Sequence, residues 1–263
     1  MPPCRRMGRQ CHALDVILRI GEMEPEAGTS LDQVATWLLG HTQHMSFGTL
    51  EDSRGQLYVE ATLHVPCRHY RETAPGVASC SAHAFTGEPP RRPARRAQPR
   101  QLGGDRFVVV DRLALVTGTL RHPPRELPIV TEPDAGNPCE GVPCRTSDLR
   151  RGAACCRDLR IEIMCTPREK RLEALVRSRR APYLGRTERI GASSLEADMI
   201  SACGYLEPGG VACTLHGRKR ADGRSAKPDL CFAWPPKDEQ LHKGCVFAST
   251  ASARPPVPLT PAP

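Results

Sequence analysis

The sequence predicts a small, irregular α+β fold, scaffolded by metal ions and built from two duplicated cysteine-cluster units. Three observations predict it. The chain has 13 cysteines among 263 residues. Its capacity for a hydrophobic core is limited, since 39% of the residues are hydrophobic and 4% aromatic, beside 26 prolines and 22 glycines; such chains need other cross-links, and metal–thiolate bonds are one kind. Finally, the order of cysteines and short elements in the first half recurs in the second.

The predicted elements of the first half are short. Alternating apolar and polar residues predict a strand at residues 14–18. Ser30 and Gln33 form a capping-box pattern, in which each side chain satisfies a free amide at a helix start. A helix of about three turns is therefore expected, with one apolar face made by Leu31, Val34 and Leu38. Residues 48–55 are predicted to be a loop.

The elements of the second half follow a similar pattern. Residues 107–116 are the best β candidate between the halves, and residues 159–163 alternate as a further short strand. Thr166 and Glu169 make a second capping box, with Pro167 at the first helical position. This helix is expected to end at Pro182 or Gly185 and to bury a face made by Leu172, Leu175 and Val176.

The two halves match as an internal repeat. Glu60 precedes Cys67 by the same spacing with which Glu196 precedes Cys203, and the strings GVASCSAH and GVACTLH follow. The sequence therefore predicts a degenerate first cysteine-cluster unit at residues 1–86 and an intact second unit at 138–247. A Pro/Arg-rich connection with a short β segment joins them at 87–137, and a disordered tail follows at 248–263.

The expected compartment decides how the cysteines are interpreted. The sequence has no run of about 18 apolar residues, which argues against a membrane span. Its N-terminus lacks an apolar signal-peptide region and cleavage site, so a cytoplasmic location is expected. In a reducing compartment clustered cysteines are metal ligands or redox thiols, and the odd count of 13 prevents complete pairing. In a secreted protein a disulfide framework would be the better interpretation.

The second unit offers the stronger set of metal ligands. Zinc and iron–sulfur centres take four ligands from thiolates, with histidine as an occasional substitute. The Cys213-x-x-His216 pair has the local spacing of half a site, and Cys203 and Cys231 are near enough in sequence to join it. Cys155 or Cys156 would close the site; as neighbours on an extended chain they should point apart and serve two metals, or one metal and one packing position.

The first unit offers a reduced set. Cys11, Cys67 and Cys80 are its candidate metal ligands, and Cys80-x-x-His83 repeats the local spacing. Whether this copy binds metal is left open. Cys144 is a further candidate, in a weaker pair with Cys139, whereas Cys165 is expected to be an apolar core residue.

Charge and motifs constrain the other functional classes. The net charge of +8 raises the possibility of a nucleic-acid partner, but much of it lies in the Arg/Pro string GEPPRRPARRAQPR without interleaved aromatic residues. Nucleic acid is therefore not the expected partner; a metal ion is, and a protein partner is unknown. The sequence has no phosphate-binding glycine loop, GxSxG or HExxH motif, so enzymatic activity is left undecided.

The second unit resembles the YkgJ-type cysteine-cluster family, the zinc- or iron-chelating CxxCxxCC domain. The strings GAACCRDLRIEI, CGYL, CTLHGRKR and KPDLCFAWP take the places of the family's segments in order, over about residues 139–236. The chain departs from the family in its first CxxC, which is spread out, with Arg151 where a cysteine is expected. The resemblance implies metal-ligand roles for Cys155, Cys156, Cys203, Cys213, Cys231 and His216.

Three functional classes follow. The first is a metal-binding protein that holds zinc or iron, including an iron–sulfur cluster, through its clustered cysteines. The second is an iron–sulfur-dependent enzyme, because some members of the family are associated with lysine N-methylation of flagellin. The third is a basic, nucleic-acid-associated zinc protein, which salt-dependent binding to DNA or RNA would reveal.

Overall fold

The computed structural model describes residues 8–22, 31–90, 106–110, 154–166, 169–180, 183–207, 213–219, 223, 226–228 and 231. The candidate ligand Cys144, its partner Cys139 and the predicted tail lie outside these residues. Within them the fold is mostly β, with two antiparallel sheets. The predicted small, metal-scaffolded α+β fold is therefore wrong.

The described residues form ten strands and three α-helices. In chain order the strands are β1 (Leu14–Glu22), β2 (Met45–Ser53), β3 (Gln56–Leu63), β4 (Tyr70–Ala74), β5 (Val77–Cys80), β6 (Phe85–Gly87), β7 (Arg106–Val109), β8 (Asp158–Met164), β9 (Leu184–Arg189) and β10 (Ser194–Ile200). The helices are α1 (Leu31–Gly40), α2 (Ala154–Arg157) and α3 (Lys170–Arg177), and a 3-10 turn occupies Arg9–Cys11. None of the described helices is long and apolar enough to cross a membrane.

One large sheet contains both halves of the chain. Its order is β7-β2-β3-β1-β8-β10-β9, while β4, β5 and β6 form a separate three-stranded sheet. The central pair, β1 and β8, is antiparallel, and Leu18 lies opposite Ile163. The two halves are thus joined by backbone hydrogen bonds across the middle of one sheet.

The order strand, helix, strand, strand occurs twice around this central pair. In the first half Leu63 of β3 lies opposite both Leu14 and Met45. In the second half Met199 of β10 lies opposite both Leu159 and Leu184. The strands of the two halves are therefore paired at equivalent positions. An approximate two-fold axis that passes between Leu18 and Ile163 relates one half to the other.

Hydrophobic burial, rather than metal coordination, accounts for this sheet. The largest core cluster draws on both halves, and Leu50, Leu63, Ile163 and Leu195 in it have no exposed side-chain surface. Each buried aliphatic side chain of this kind stabilises the fold by about 1.5–3 kcal/mol. The low hydrophobic fraction predicted the wrong fold because the apolar residues are concentrated in the strands and helices of the sheet.

Several local predictions can be compared with the elements. The strands predicted at residues 14–18 and 159–163 are confirmed within β1 and β8. The loop predicted at residues 48–55 is wrong, because β2 runs through most of it and the turn is confined to Arg54 and Gly55, which have positive φ. Of the strand predicted at 107–116, β7 covers the start and most of the rest lies outside the described residues.

Both helix predictions are confirmed in type. The start of α1 follows Ser30, and Leu38 and Val34 are buried. Before α3 the Thr166 amide donates to the Glu169 carboxylate (2.8 Å), but the helix begins at Lys170 with Glu169 at its N-cap, so the predicted start after Thr166 is wrong. It ends at Arg177, earlier than predicted.

Each helix ends against the opposite half of the molecule. The Gly204 amide N–H donates to the Gly40 carbonyl at the end of α1 (2.7 Å). In the equivalent contact, the Arg68 amide donates to the Ser178 carbonyl just after α3 (2.9 Å). Gly204 follows Cys203 and Arg68 follows Cys67, so the end of each helix supports the cysteine loop of the other half.

Candidate metal centre

The second half brings four cysteines of separate segments into one region. Cys156 lies in α2 directly before β8, and Cys203 follows β10. The Cys203 amide donates to the Cys156 carbonyl (2.6 Å), which joins these segments. Cys213 is bridged to Leu206 in an isolated antiparallel pair, and the Cys231 amide donates to the Pro228 carbonyl (2.8 Å).

A small apolar cluster lies beneath this region. Tyr205, Leu215 and Ala226 are buried together, and the partly buried Cys203 and Cys213 pack against them. The cluster is separate from the main core. Because Cys203 and Cys213 both contact it, the cluster joins the two cysteine turns.

Backbone amides point at two of the sulfurs. The Cys203 sulfur accepts hydrogen bonds from the Tyr205 and Leu206 amides. The Cys213 sulfur accepts hydrogen bonds from the amides of Leu215 and His216. Hydrogen bonds of this kind favour the thiolate over the thiol. These hydrogen bonds partly offset the burial that raises the pKa of both thiols.

Cys156 is the most readily ionised of these four thiols. A hydrogen bond from the Cys155 thiol lowers the pKa of Cys156 to about 7, in opposition to burial, and the positive charges of Lys227 and Arg157 lower it further. The prediction that Cys155 and Cys156 lie on an extended chain is wrong, since both are in α2. This helical turn lets Cys155 act as a hydrogen-bond donor to its neighbour.

The other three thiols hinder one another's ionisation. Burial raises the pKa of Cys203 to about 12, and negative charge on Cys156 and Cys213 adds to the increase. Burial likewise raises the pKa of Cys213 and of Cys231, and in each case charge on Cys156 contributes. Charge on Cys156 thus disfavours ionisation of the other three thiols, an effect that a divalent cation would offset.

The four sulfurs do not yet form a finished coordination sphere. Among the residues that the structure describes, no group of three or more Cys, His, Asp or Glu side chains is arranged so that it could hold a metal ion. Zinc–thiolate bonds are about 2.3 Å long, and the sulfurs as placed in the structure do not surround a common point at that distance.

Of the remaining sequence-predicted ligands, Cys144 lies outside the described residues and the others fall into two groups. Cys155 and His216 lie beside the four sulfurs, the first as a donor to Cys156 and the second through its amide to Cys213. Cys11, Cys67 and Cys80 are buried in the other half of the molecule. Cys165, expected in the core, is buried in the main cluster, which confirms that prediction.

Sequence reasoning missed two residues that shape the site. Gly40 lies so close to the Cys203 loop that an added Cβ would be 3.0 Å from the Cys203 sulfur. Lys227 lowers the pKa of both Cys156 and Cys213. The string KPDLC contained a signal for Lys227, a cation four residues before a candidate ligand, whereas nothing local connects Gly40 with a cysteine far along the chain.

The close approach at Gly40 gives a testable prediction. Gly40→Val is expected to lower the free energy of unfolding by about 2 kcal/mol, because overpacking of this kind typically costs 1–3 kcal/mol. An added Cβ would lie 3.0 Å from the Cys203 sulfur and 3.2 Å from the Tyr205 ring. Urea titration measures the change. Gly204→Ala is the matched control, since a Cβ there would be 3.6 Å from the Gly40 carbonyl, an ordinary contact; equal losses in both variants would contradict the prediction.

Comparisons with protein-family models, with curated proteins and with solved structures found no match to this chain. The resemblance to the YkgJ-type family therefore stays a prediction. The fold defines the class as a mostly β protein, in which the nine cysteines of the described residues are free thiols.

Proposed function

We propose that the second half of the chain binds one metal ion through Cys156, Cys203, Cys213 and Cys231, and that this ion is zinc. The observation that carries the proposal is that the fold brings these segments together: the Cys203 amide donates to the Cys156 carbonyl (2.6 Å), and Cys203 and Cys213 pack against the same apolar cluster. In support, negative charge on Cys156 raises the pKa of Cys203, Cys213 and Cys231. A bound dication turns that mutual repulsion into attraction, and metal binding then releases the thiol protons.

The surroundings of the sulfurs favour a closed structural site. Four cysteines complete a tetrahedral thiolate sphere, which is the composition of many structural zinc sites. The amide hydrogen bonds to the Cys203 and Cys213 sulfurs supply the outer-shell contacts that orient such ligands. Because Cys231 provides the fourth sulfur, His216 is not needed as a ligand, and Cys155 is assigned as a donor that lowers the pKa of Cys156.

The metal has a stabilising role in this proposal. The main core forms by hydrophobic burial, so metal removal is expected to release the cysteine turns and leave the large sheet folded. The thiols must stay reduced, as they do in the cytoplasm. No observation among the described residues favours the methylase-like or nucleic-acid alternatives, and both stay predictions from the sequence.

The test is metal analysis of the full chain purified without oxygen. Zinc, iron and acid-labile sulfide are assayed, and Co²⁺ is then substituted to report thiolate coordination through its visible spectrum. Cys203→Ser combined with Cys213→Ser is expected to remove one metal equivalent per chain. Each single variant should weaken binding by more than about 100-fold, since loss of an outer-shell contact alone costs 10–100-fold.

Two further variants make the test specific. Cys165→Ala removes a buried thiol of the main core and is expected to leave the metal content unchanged. Cys155→Ala is expected to retain the ion with weaker affinity, because it removes a hydrogen bond to a ligand and no ligand. If the assay finds iron and acid-labile sulfide instead of zinc, the same four thiols are assigned to an iron–sulfur centre. Unchanged metal content in the Cys203→Ser, Cys213→Ser double variant would refute the proposal.

A further inference from the structure

We propose that β9 is the docking edge for a second copy of this chain. Two copies pair through β9 as antiparallel strands, about a two-fold axis at Thr187, and their large sheets become one continuous sheet. The proposal is carried by the backbone direction, the exposure and the charges of β9. It does not depend on the proposed metal site.

The outer edge of β9 is open to solvent. β9 is the last strand of the large sheet, and in the part of the chain that the structure describes it pairs with β10 alone. Gly185, Arg186 and Glu188 are exposed, while Thr187 and Arg189 are half-buried. A strand at the edge of a sheet presents a row of backbone donors and acceptors that another strand can use.

The backbone groups of β9 that face outward can be assigned from its hairpin with β10. The Ile190 amide donates to the Ser194 carbonyl (3.2 Å), so it points toward β10. Antiparallel pairing alternates along a strand, and the amide of Glu188 therefore also points toward β10. The amides and carbonyls of Thr187 and Arg189 point the other way, to the open edge.

The Thr187 carbonyl agrees with this assignment. It accepts a hydrogen bond from the Arg177 guanidinium of α3 (2.9 Å), which reaches the edge from outside the β9–β10 ladder. A carbonyl oxygen has two lone pairs and can accept a second hydrogen bond. When Thr187 of one copy faces Thr187 of another, each amide can donate to the opposite carbonyl, which is the closely spaced pair of an antiparallel ladder.

The charges on β9 select this register. Arg186 and Glu188 lie on one face of the strand and form an ion pair within the chain. A two-fold axis at Thr187 places Arg186 of each copy opposite Glu188 of the other, which gives two cross-strand pairs of opposite charge. An axis at Arg186, Glu188 or Arg189 would instead place that residue opposite its own copy, and like charges directly opposite are destabilising.

Exposed apolar side chains lie at both ends of the strand. Tyr183, just before β9, is 37% exposed, and Ile190, just after it, is 50% exposed. In the register centred on Thr187, the end of each strand meets the start of the other. Ile190 of one copy then lies near Tyr183 of the other, and both lose part of their apolar exposure to water.

The composition of β9 permits such pairing. Edge strands are commonly protected by lysine, proline or a run of like charge, and β9, with the sequence LGRTER, has no lysine or proline. Its alternating signs are self-complementary under a two-fold axis, as an interface between identical copies requires. A single strand pair is a small interface, so the dimer is expected to be reversible, concentration-dependent and weakened by salt.

The test is sedimentation velocity of the full chain over a range of concentrations, under reducing conditions. The unmodified chain is expected to show a monomer–dimer equilibrium. Glu188→Arg and Arg186→Glu each place like charges opposite each other and should weaken dimerisation by at least about tenfold. Arg186→Glu combined with Glu188→Arg restores opposite charges, and its dissociation constant should return to within about threefold of the parent value.

Two further variants separate the backbone contribution from the net charge. Thr187→Pro removes the outward amide, which β10 does not use, and is expected to give a monomer whose circular dichroism is that of the parent. Glu88→Arg is the matched charge control, because Glu88 is exposed and follows β6 of the other sheet. It should leave dimerisation unchanged.

Each contrary result contradicts a specific part of the proposal. A chain that stays monomeric at every concentration would overturn the docking edge. A dimer that survives Thr187→Pro would place the interface elsewhere on the molecule and also overturn it. If the double charge variant dimerises no better than the single variants, the register about Thr187 is wrong.

Discussion

Arg179→Met is expected to lower the free energy of unfolding by roughly 3–5 kcal/mol, because it leaves several buried carbonyl groups without a donor. Arg179 is 4% exposed and lies just after α3. Its guanidinium donates to the carbonyls of Leu175 (2.9 Å), Gln10 (2.7 Å) and Val65 (3.1 Å). One side chain thus ties the end of α3 to the chain before Cys11 and to the chain before Cys67.

The measurement is urea unfolding followed by circular dichroism. Arg177→Ala is the matched control, because Arg177 is half-exposed and pairs with Glu173 at the helix surface, and such a pair is worth about 0.3–0.5 kcal/mol. Arg179→Lys should fall between the two, since one ammonium group cannot reproduce the planar fork of donors. If Arg179→Met lowers the free energy of unfolding no more than Arg177→Ala does, the buried guanidinium of Arg179 does not stabilise the fold.

Acid is expected to destabilise the protein through His41. Burial lowers the pKa of His41 from 6.5 to about 4, although its hydrogen bond with the Ser201 carbonyl partly opposes this. Between those values the unfolded chain takes up a proton at this position and the folded chain does not. The free energy of unfolding therefore falls by about 3 kcal/mol as the pH decreases from 6.5 to 4, at 1.36 kcal/mol per unit of pKa shift.

The geometry explains why this histidine is buried. His41 is 2% exposed, its Nδ1 donates to the Ser201 carbonyl (2.8 Å), and the Ser201 hydroxyl donates back to the His41 carbonyl (3.0 Å). This reciprocal pair follows α1 and touches the chain two residues before Cys203. It is the counterpart of the contact between Arg179 and Val65, which lies two residues before Cys67.

Urea midpoints at a series of pH values test the role of His41. His41→Asn keeps an amide donor near the position of Nδ1 and does not titrate. The variant is expected to be less stable at neutral pH, with a pH dependence between 6.5 and 4 that is flatter by about 3 kcal/mol. Burial also lowers the pKa of His44, so only the difference between variant and parent is attributed to His41. Identical pH dependence would contradict the prediction.

Features that depend on neighbouring residues could be predicted from the sequence. Alternation located β1 and β8, and capping patterns located α1 and α3. Alternation failed at β2, where Gly48 and polar side chains break the pattern although the strand pairs on both sides, with β3 and β7. Those partners supply the hydrogen bonds and burial that the segment itself does not encode.

The candidate site divides in the same way. The equal spacing from Glu60 to Cys67 and from Glu196 to Cys203, and the two Cys-x-x-His turns, are visible as strings of letters. The role of Cys155 as a donor and the close approach of Gly40 were not predictable, because they depend on a helical turn and on a helix end from the opposite half.

The sequence by itself determined where cysteines stand relative to short strands and turns, since hydrogen bonds within a turn involve residues only two or three apart. Only the tertiary structure decided that the two halves form one sheet through β1 and β8, and that each helix ends on the cysteine loop of the other half. The physical reason is that strands pair and helices dock where two distant segments bury apolar surface against each other. The sequence of one segment shows its own apolar face but does not show which segment will cover it.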